Sequence, residues 1–342
     1  MSPSDKRGVN RVKIKTKTGE TVGLYKESHA LIIGVSNYQD PLWPDLESVK
    51  MDVSAVREAL TSHGFHVLTL MNPNAKELMN GMEDFIREYG YEEGNRLLFY
   101  FSGHGYTQSK GGRQFGYIVP TDAPSPVQDE KGFFKHSVKM TQVLSWSKQI
   151  ESKHALFLFD SCFSGSVLKS RAAVVPEDIS YLTSKPVRQF ISAGSANQLV
   201  PAQSVFRVLF IRGINGKGDL DKDGYITGTE LGSYLMKWVS YYETGQTPQY
   251  GKIRDPLLDE GNFVFVVPSQ AEPSGITHEG VEKQILFRNK SLTKFVEGGS
   301  KWLKTGDEKT QARYEGEIRD GVPNGEGIII FPDGKKYIGE WK

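Results

Sequence analysis

The chain of 342 residues carries a single cysteine. No internal disulfide is available to it, so the fold does not depend on oxidation. A lone thiol is, by default, a small core hydrophobe. Long apolar runs are also missing: no stretch of 18 apolar residues occurs, and residues 1–20 hold no apolar core of signal-peptide length, which reads as a soluble, cytosolic protein with no transmembrane segment. Neither sign of charge is in excess. The 42 Lys and Arg against 41 Asp and Glu leave +1, and this gives no footing for a nucleic-acid or anionic-membrane partner. What is present is ordinary for a globular chain, 38% apolar and 24% charged, with length enough for one large domain or two smaller ones.

VKIKTKT (12–18) alternates with period two and reads as an edge strand with a solvated cationic face. From residue 29 the pattern changes to short apolar runs separated by amphipathic helices. HALIIGV (29–35) precedes a helical spacing of Val49, Val53, Val56 and Leu60. FHVLTL (65–70), a helix over 76–90, RLLFYFSGHG (96–105), GYIVP (116–120), a helix over 141–151, ALFLFDSCFSG (155–165), FISAGSA (190–196) and NFVFVVP (262–268) follow. This order predicts an α/β fold with a mostly parallel central sheet flanked by helices. In such sheets chemistry gathers at the carboxyl ends of strands. Two strands end there in reactive residues: LLFYF runs into SGHG, and ALFLF into DSCFSG.

A cysteine peptidase needs a thiolate, an imidazole to take its proton, and two donors facing the developing oxyanion. Cys162 and His104 supply the first two if their strands are neighbours. The amides of Gly105 and of Cys162 itself would be the oxyanion donors. On these motifs, FYFSGHG and LFLFDSCFSG with HALIIGVSNY upstream, the chain resembles the caspase-like cysteine peptidases. Metacaspases and bacterial caspase-domain proteins are the nearest in look. The likeness covers about residues 29–268, with 1–28 as a lead-in, and implies a caspase-type sandwich with His104 as base and Cys162 as nucleophile.

The resemblance also bears on specificity. Caspases carry Gln-Ala before the cysteine; this chain has Asp160 and Ser161, the metacaspase-like pattern. It implies an S1 pocket of Asp160, Asp52 and Ser102 that takes Arg or Lys through charge-assisted contacts, although Met51 stands where metacaspases usually have Asn. Cleavage after Asp is the alternative. The segment 166–189 looks like a caspase-type activation loop, with Lys169, Arg171, Lys185 and Arg188 as candidate self-cleavage sites.

DLDKDGYITGTE (219–230) meets the EF-hand loop pattern at each required position. Asp219, Asp221, Asp223, Tyr225 through its carbonyl, Thr227 and Glu230 are the expected Ca2+ ligands; no organic cofactor is implied. Helices are expected on both sides, the first with a Gly-rich kink. After a linker and undetermined segment (269–313), Tyr314, Gly316 and Glu317 recur as Tyr337, Gly339 and Glu340, 23 residues on. This unit (314–342) resembles MORN repeats, β-hairpins associated with protein or lipid contacts. Because the next unit is cut short, the chain reads as a fragment of a longer repeat protein. The expected function is a calcium-responsive, self-processing cysteine endopeptidase of bacterial type, acting on protein or peptide substrates. The rivals are an inactive caspase-like scaffold and a calcium-sensing binding protein.

Overall fold

The computed structural model describes residues 12–15, 21–162, 179–194, 204–242, 246–268, 284–288, 302–319, 322–333 and 336–341. The chain divides into two compact units, Met1–Ser269 and Gln270–Lys342.

In the first unit the order is β1 (Val12–Lys15), β2 (Thr21–Tyr25), β3 (Ser28–Gly34), α1 (Ser48–Ser62), β4 (His66–Met71), α2 (Ala75–Tyr89), β5 (Arg96–Ser102), β6 (Gly105–Lys110), β7 (Arg113–Ile118), α3 (Glu130–His136), β8 (Val138–Lys139), α4 (Met140–Gln149) and β9 (His154–Cys162). Then come α5 (Ile179–Ser184), β10 (Val187–Gly194), α6 (Val205–Arg212), a π-helical turn (Gly213–Lys217), β11 (Tyr225–Thr227), α7 (Gly228–Tyr242), β12 (Gln249–Lys252) and β13 (Val264–Val266). The central sheet runs β12-β10-β9-β5-β3-β4. All neighbours are parallel except β12, which is antiparallel to β10. A mostly parallel sheet with helices between its strands is the expected α/β sandwich.

Alternation along the strands divides the core. Phe99, Phe157 and Phe190 are register partners on β5, β9 and β10. Their rings stack in sequence at 4.5 Å and 4.8 Å between centroids. With Leu97, Phe101, Ala155 and Phe159 they form one apolar face, closed by Phe85 of α2 and Trp146 of α4. The other face carries Tyr100, Leu158 and Asp160, one position out of phase. Val49, Val53, Val56 and Leu60 are buried along α1, as their spacing predicts. α2 opens on a reciprocal capping box between Asn74 and Glu77.

Two buried arginines fasten the sheet. Arg96 lies over the rings of Tyr25 and Phe65 (4.6 and 4.3 Å to the centroids), and donates to the Ser28 hydroxyl and the Val264 carbonyl. Arg188 donates to the carbonyls of Ser147, Ile150, Lys153 and Val187, closing the end of α4.

The strand near residue 12 has β2 as its one partner, in a separate two-stranded sheet, so it is an edge strand as expected. Two other sequence expectations change. The strand of 262–268 shortens to β13 and pairs with β11, outside the central sheet. The segment 269–313 contributes β14 (Gln284–Arg288) and β15 (Trp302–Leu303) to the second unit's sheet, which continues with β16 (Arg313–Arg319), β17 (Val322–Ile330) and β18 (Lys336–Trp341) in the order β15-β14-β16-β17-β18. All its pairings are antiparallel. Tyr314 is wholly buried there, against Gly327, where an added Cβ would come within 2.3 Å of the tyrosine hydroxyl. Only glycine fits beneath that ring.

Candidate active site

β5 and β9 are adjacent and parallel, with Ser102 in register with Asp160. His104 and Cys162 each lie two residues beyond that pair. Parallel strands sit roughly 4.8 Å apart, so both motifs emerge side by side at the carboxyl edge of the sheet. β9 continues to Cys162, whose backbone pairs with Gly194 of β10; its side chain falls outside the described residues. Ser102 is buried at the end of β5, and its carbonyl accepts from the amide of Val35. Gly105 begins β6 in register with Ile118 of β7, and the His104 carbonyl accepts from Val119. The backbone that presents the Gly105 amide is therefore braced by a neighbouring strand.

His104 is set from three sides. Its Nε2 lies 2.8 Å from the Pro44 carbonyl, an acceptor only, so Nε2 carries the hydrogen and Nδ1 is left as the bare base. The Tyr38 hydroxyl accepts the His104 amide hydrogen at 2.7 Å and donates to the Val35 carbonyl at 3.2 Å. The rings of Tyr38 and Trp43 lie 4.7 and 5.4 Å from the imidazole. Burial lowers the His104 pKa, with the Pro44 carbonyl pulling the other way. The imidazole is thus neutral at neutral pH, the form a general base requires.

The three expected S1 residues meet a fourth element. Asp52 on α1 is 2% exposed and pairs with Arg207 Nε of α6 at 2.7 Å. Burial raises its pKa, and the Arg207 charge pulls the other way. Asp160, also 2% exposed, accepts through Oδ2 from the Tyr100 hydroxyl at 2.9 Å and from Ser204, the N-cap of α6. Its Oδ1 has no hydrogen-bond donor among the described residues. Burial pushes the Asp160 carboxyl up to about 7, and the charge of Asp52 adds to the rise.

The acidic loop carries the turn geometry its sequence asks for, with positive φ at Lys222 (60°) and Gly224 (88°). Carboxylate oxygens of Asp219, Asp221 and Asp223 lie within 4.8 Å of one another. Asp223 is raised to about 6, first by burial and then by Asp221, Glu230 and Asp219. An all-oxygen donor set under mutual repulsion fits a hard divalent cation such as Ca2+. Glu230 accepts from the amides of Leu220 and Thr227 and from the Thr227 hydroxyl. The loop strand β11, with Tyr225 and buried Ile226, pairs with β13 of this chain. It is flanked by α6 with its glycine-containing π turn and by α7, as expected.

Among the self-cleavage candidates, Lys169 and Arg171 lie outside the described residues. Arg188 is corrected: it is 1% exposed near the start of β10, its guanidinium bound to four carbonyls, and a protease has no access to it in the folded chain. Lys185 is half-exposed and faces Glu260 at 3.5 Å, but its carbonyl accepts from His154 Nε2. Tyr38, Pro44, Tyr100, Ser204 and Arg207 were not foreseen as site residues. Tyr38 stood in the motif HALIIGVSNY and Tyr100 in FYFSGHG; Pro44, Ser204 and Arg207 meet the site only through tertiary contacts.

A caspase domain matches residues 27–233, and the chain belongs to the caspase-domain family, a family of cysteine peptidases. A MORN repeat matches residues 314–336. Similar solved structures include a protein from Geobacter sulfurreducens, 16% identical, with TM-score 0.47 over 69% of this chain and 97% of that one. Another is caspase-1 from Spodoptera frugiperda, 13% identical, with TM-score 0.46 over 76% of this chain and 96% of that one. No curated protein matches.

Proposed function

We propose that the chain is a cysteine endopeptidase in which His104 and Cys162 form the catalytic dyad and the peptide bond cut follows Arg or Lys. The observation that carries this reading is the emergence of both residues, two positions past one register pair, from adjacent parallel strands. His104 Nδ1 takes the Cys162 thiol proton, and the thiolate sulfur forms a bond to the scissile carbonyl carbon. The oxyanion is met by the amides of Gly105 and Cys162. As the C–N bond breaks, the imidazolium returns its proton to the leaving amine, and water, deprotonated by the same nitrogen, releases the acyl group as acid. The basic preference rests on Asp160 and Asp52 gathered with Ser102 at this edge.

Ca2+, held by Asp219, Asp221, Asp223, the Tyr225 carbonyl, Thr227 and Glu230, would supply charge neutralisation to the acidic loop. Self-processing in the segment 166–189 belongs to the same proposal, at Lys169 or Arg171, and the MORN unit would recruit a protein or lipid partner.

The test is hydrolysis of fluorogenic peptides ending in Arg, Lys or Asp, with and without Ca2+, by wild type and Cys162→Ala. Turnover of the basic peptides, lost in the variant, is expected. Preferred turnover of the Asp peptide removes the basic specificity; no turnover of any peptide favours the inactive scaffold.

A further inference from the structure

The acidic pocket already contains a cation. Asp52 from α1, Asp160 from β9, Tyr100 from β5, and Ser204 and Arg207 from α6 form one buried polar cluster beneath the catalytic edge. Arg207 is 16% exposed while the carboxylate it meets is 2% exposed, so the arginine keeps some contact with solvent where the acid has almost none. Ser204 covers Asp160 from the same helical turn.

We propose that the first turn of α6 is an internal occupant of this pocket: Arg207 holds against Asp52 the place of a substrate's arginine or lysine side chain, and substrate binds by displacing it. The inference rests on the reading that Asp52 and Asp160 select a basic side chain.

Two observations separate an occupant from a plain structural ion pair. Arg207 is the third residue of α6, after Ser204, Val205 and Phe206. A cation in the first turn opposes the helix dipole, where an acid would be favoured, so local helix energetics do not account for an arginine there. Asp160, moreover, is sealed from solvent with Oδ1 lacking a donor among the described residues, although its neighbour carries a multi-donor guanidinium. An unfilled buried acceptor is costly. Beyond its ion pair with Arg207, Asp52 Oδ1 likewise has no hydrogen-bond partner among the described residues, and an incoming guanidinium or ammonium adds donors to the acids. Exchange of one cation for another leaves the acids neutralised throughout, so displacement avoids the full penalty of exposing a buried unpaired charge. Apparent affinity for a basic substrate is reduced by the fraction of molecules in which Arg207 is seated.

The test compares wild type, Arg207→Gln and Arg207→Lys on Arg-ending and Asp-ending fluorogenic peptides, with the iodoacetamide alkylation rate of Cys162 as a check that the thiol edge is intact. In Arg207→Gln the KM for the Arg peptide is expected to fall about tenfold, as removal of a mostly seated competitor requires, and Arg207→Lys should stay near wild type. An unchanged or raised KM in Arg207→Gln makes Arg207 a strut and overturns the proposal. Because Arg207→Gln leaves a buried carboxylate and the variant can fail to fold, a second measurement uses the wild-type chain. Amide exchange over 205–212 is followed with and without a peptide aldehyde ending in arginine. Faster exchange on binding is expected; unchanged or slower exchange overturns the proposal. Failure of the specificity reading looks different: the arginine aldehyde does not bind, an aspartate aldehyde does, and the Asp peptide is turned over by wild type and both variants.

Discussion

Asp160 titrates where most carboxylates have long been ionised. With its carboxyl raised to about 7, the pocket gains a negative charge as pH climbs through neutrality. Hydrolysis after Arg is therefore expected to rise with pH across that range, and Asp160→Asn should lose the rise. The acid limb left in the variant belongs to His104, whose lowered pKa puts it below about 6.5. Rate profiles on the Arg peptide check both limbs. The same group makes a stability statement. Its folded pKa lies above the unfolded value of about 3.9, so between about pH 4 and 7 the folded chain holds a proton that the unfolded chain has lost. Stability falls as pH rises through this window and is flat above it, by on the order of 4 kcal/mol for this group alone. Chemical denaturation at pH 4.5 and pH 7.5, which together span most of this window, should show a smaller difference in Asp160→Asn.

At the scale of elements, the sheet stands on the ring stack of Phe99, Phe157 and Phe190. Phe157→Ala opens a cavity at its centre and is expected to cost about 3–5 kcal/mol, read as a lowered denaturation midpoint. Around the acidic loop a closed polar network joins Thr229, Asn262, Gln189 and Tyr250, so the loop is docked on β10 and β12. Ca2+ is expected to raise the melting temperature, and Asp221→Asn to weaken that rise. Differential scanning calorimetry with and without the ion decides.

The strands and helices were legible because the apolar runs are short and the helical spacings regular: α1, α2 and α4 fall within two residues of their expected bounds. The two strand ends that carry the proposed dyad were legible for a related reason, since a strand end followed by Gly-His or by Asp-Ser-Cys is a local pattern. The cation that meets Asp52 was not. VFRVLFIR announces an amphipathic helix, but nothing within eight residues says which acid its arginine will find. Nor could a run of Arg, Gln and Phe in 188–190 reveal that the arginine is buried against four carbonyls.

Taken whole, the chain has two compact units, and the core of the second is built on different rules. Its strands pair in hairpins around Tyr314, and the fit beneath that ring requires glycine at 327. Gly327→Ala is expected to unfold the C-terminal sheet while leaving hydrolysis of a small Arg peptide unchanged, because none of the catalytic groups draws on that core. Circular dichroism and a peptide assay on one preparation check the two halves. A defect confined to binding of a large protein or a vesicle would then be assigned to the MORN unit.

One backbone also joins the two chemistries of the first unit. α6 begins at the acids of the pocket, and the π turn of Gly213–Lys217 that follows it leads to Asp219, the first carboxylate of the acidic loop. Thermodynamic reciprocity then applies to the two ends. Whatever factor an ion in the loop contributes to unseating Arg207, a basic peptide seated against Asp52 must return to the affinity of the loop for that ion. An ion titration with and without such a peptide thus measures, as one number, how far the pocket at the start of α6 and the loop beyond the π turn feel each other.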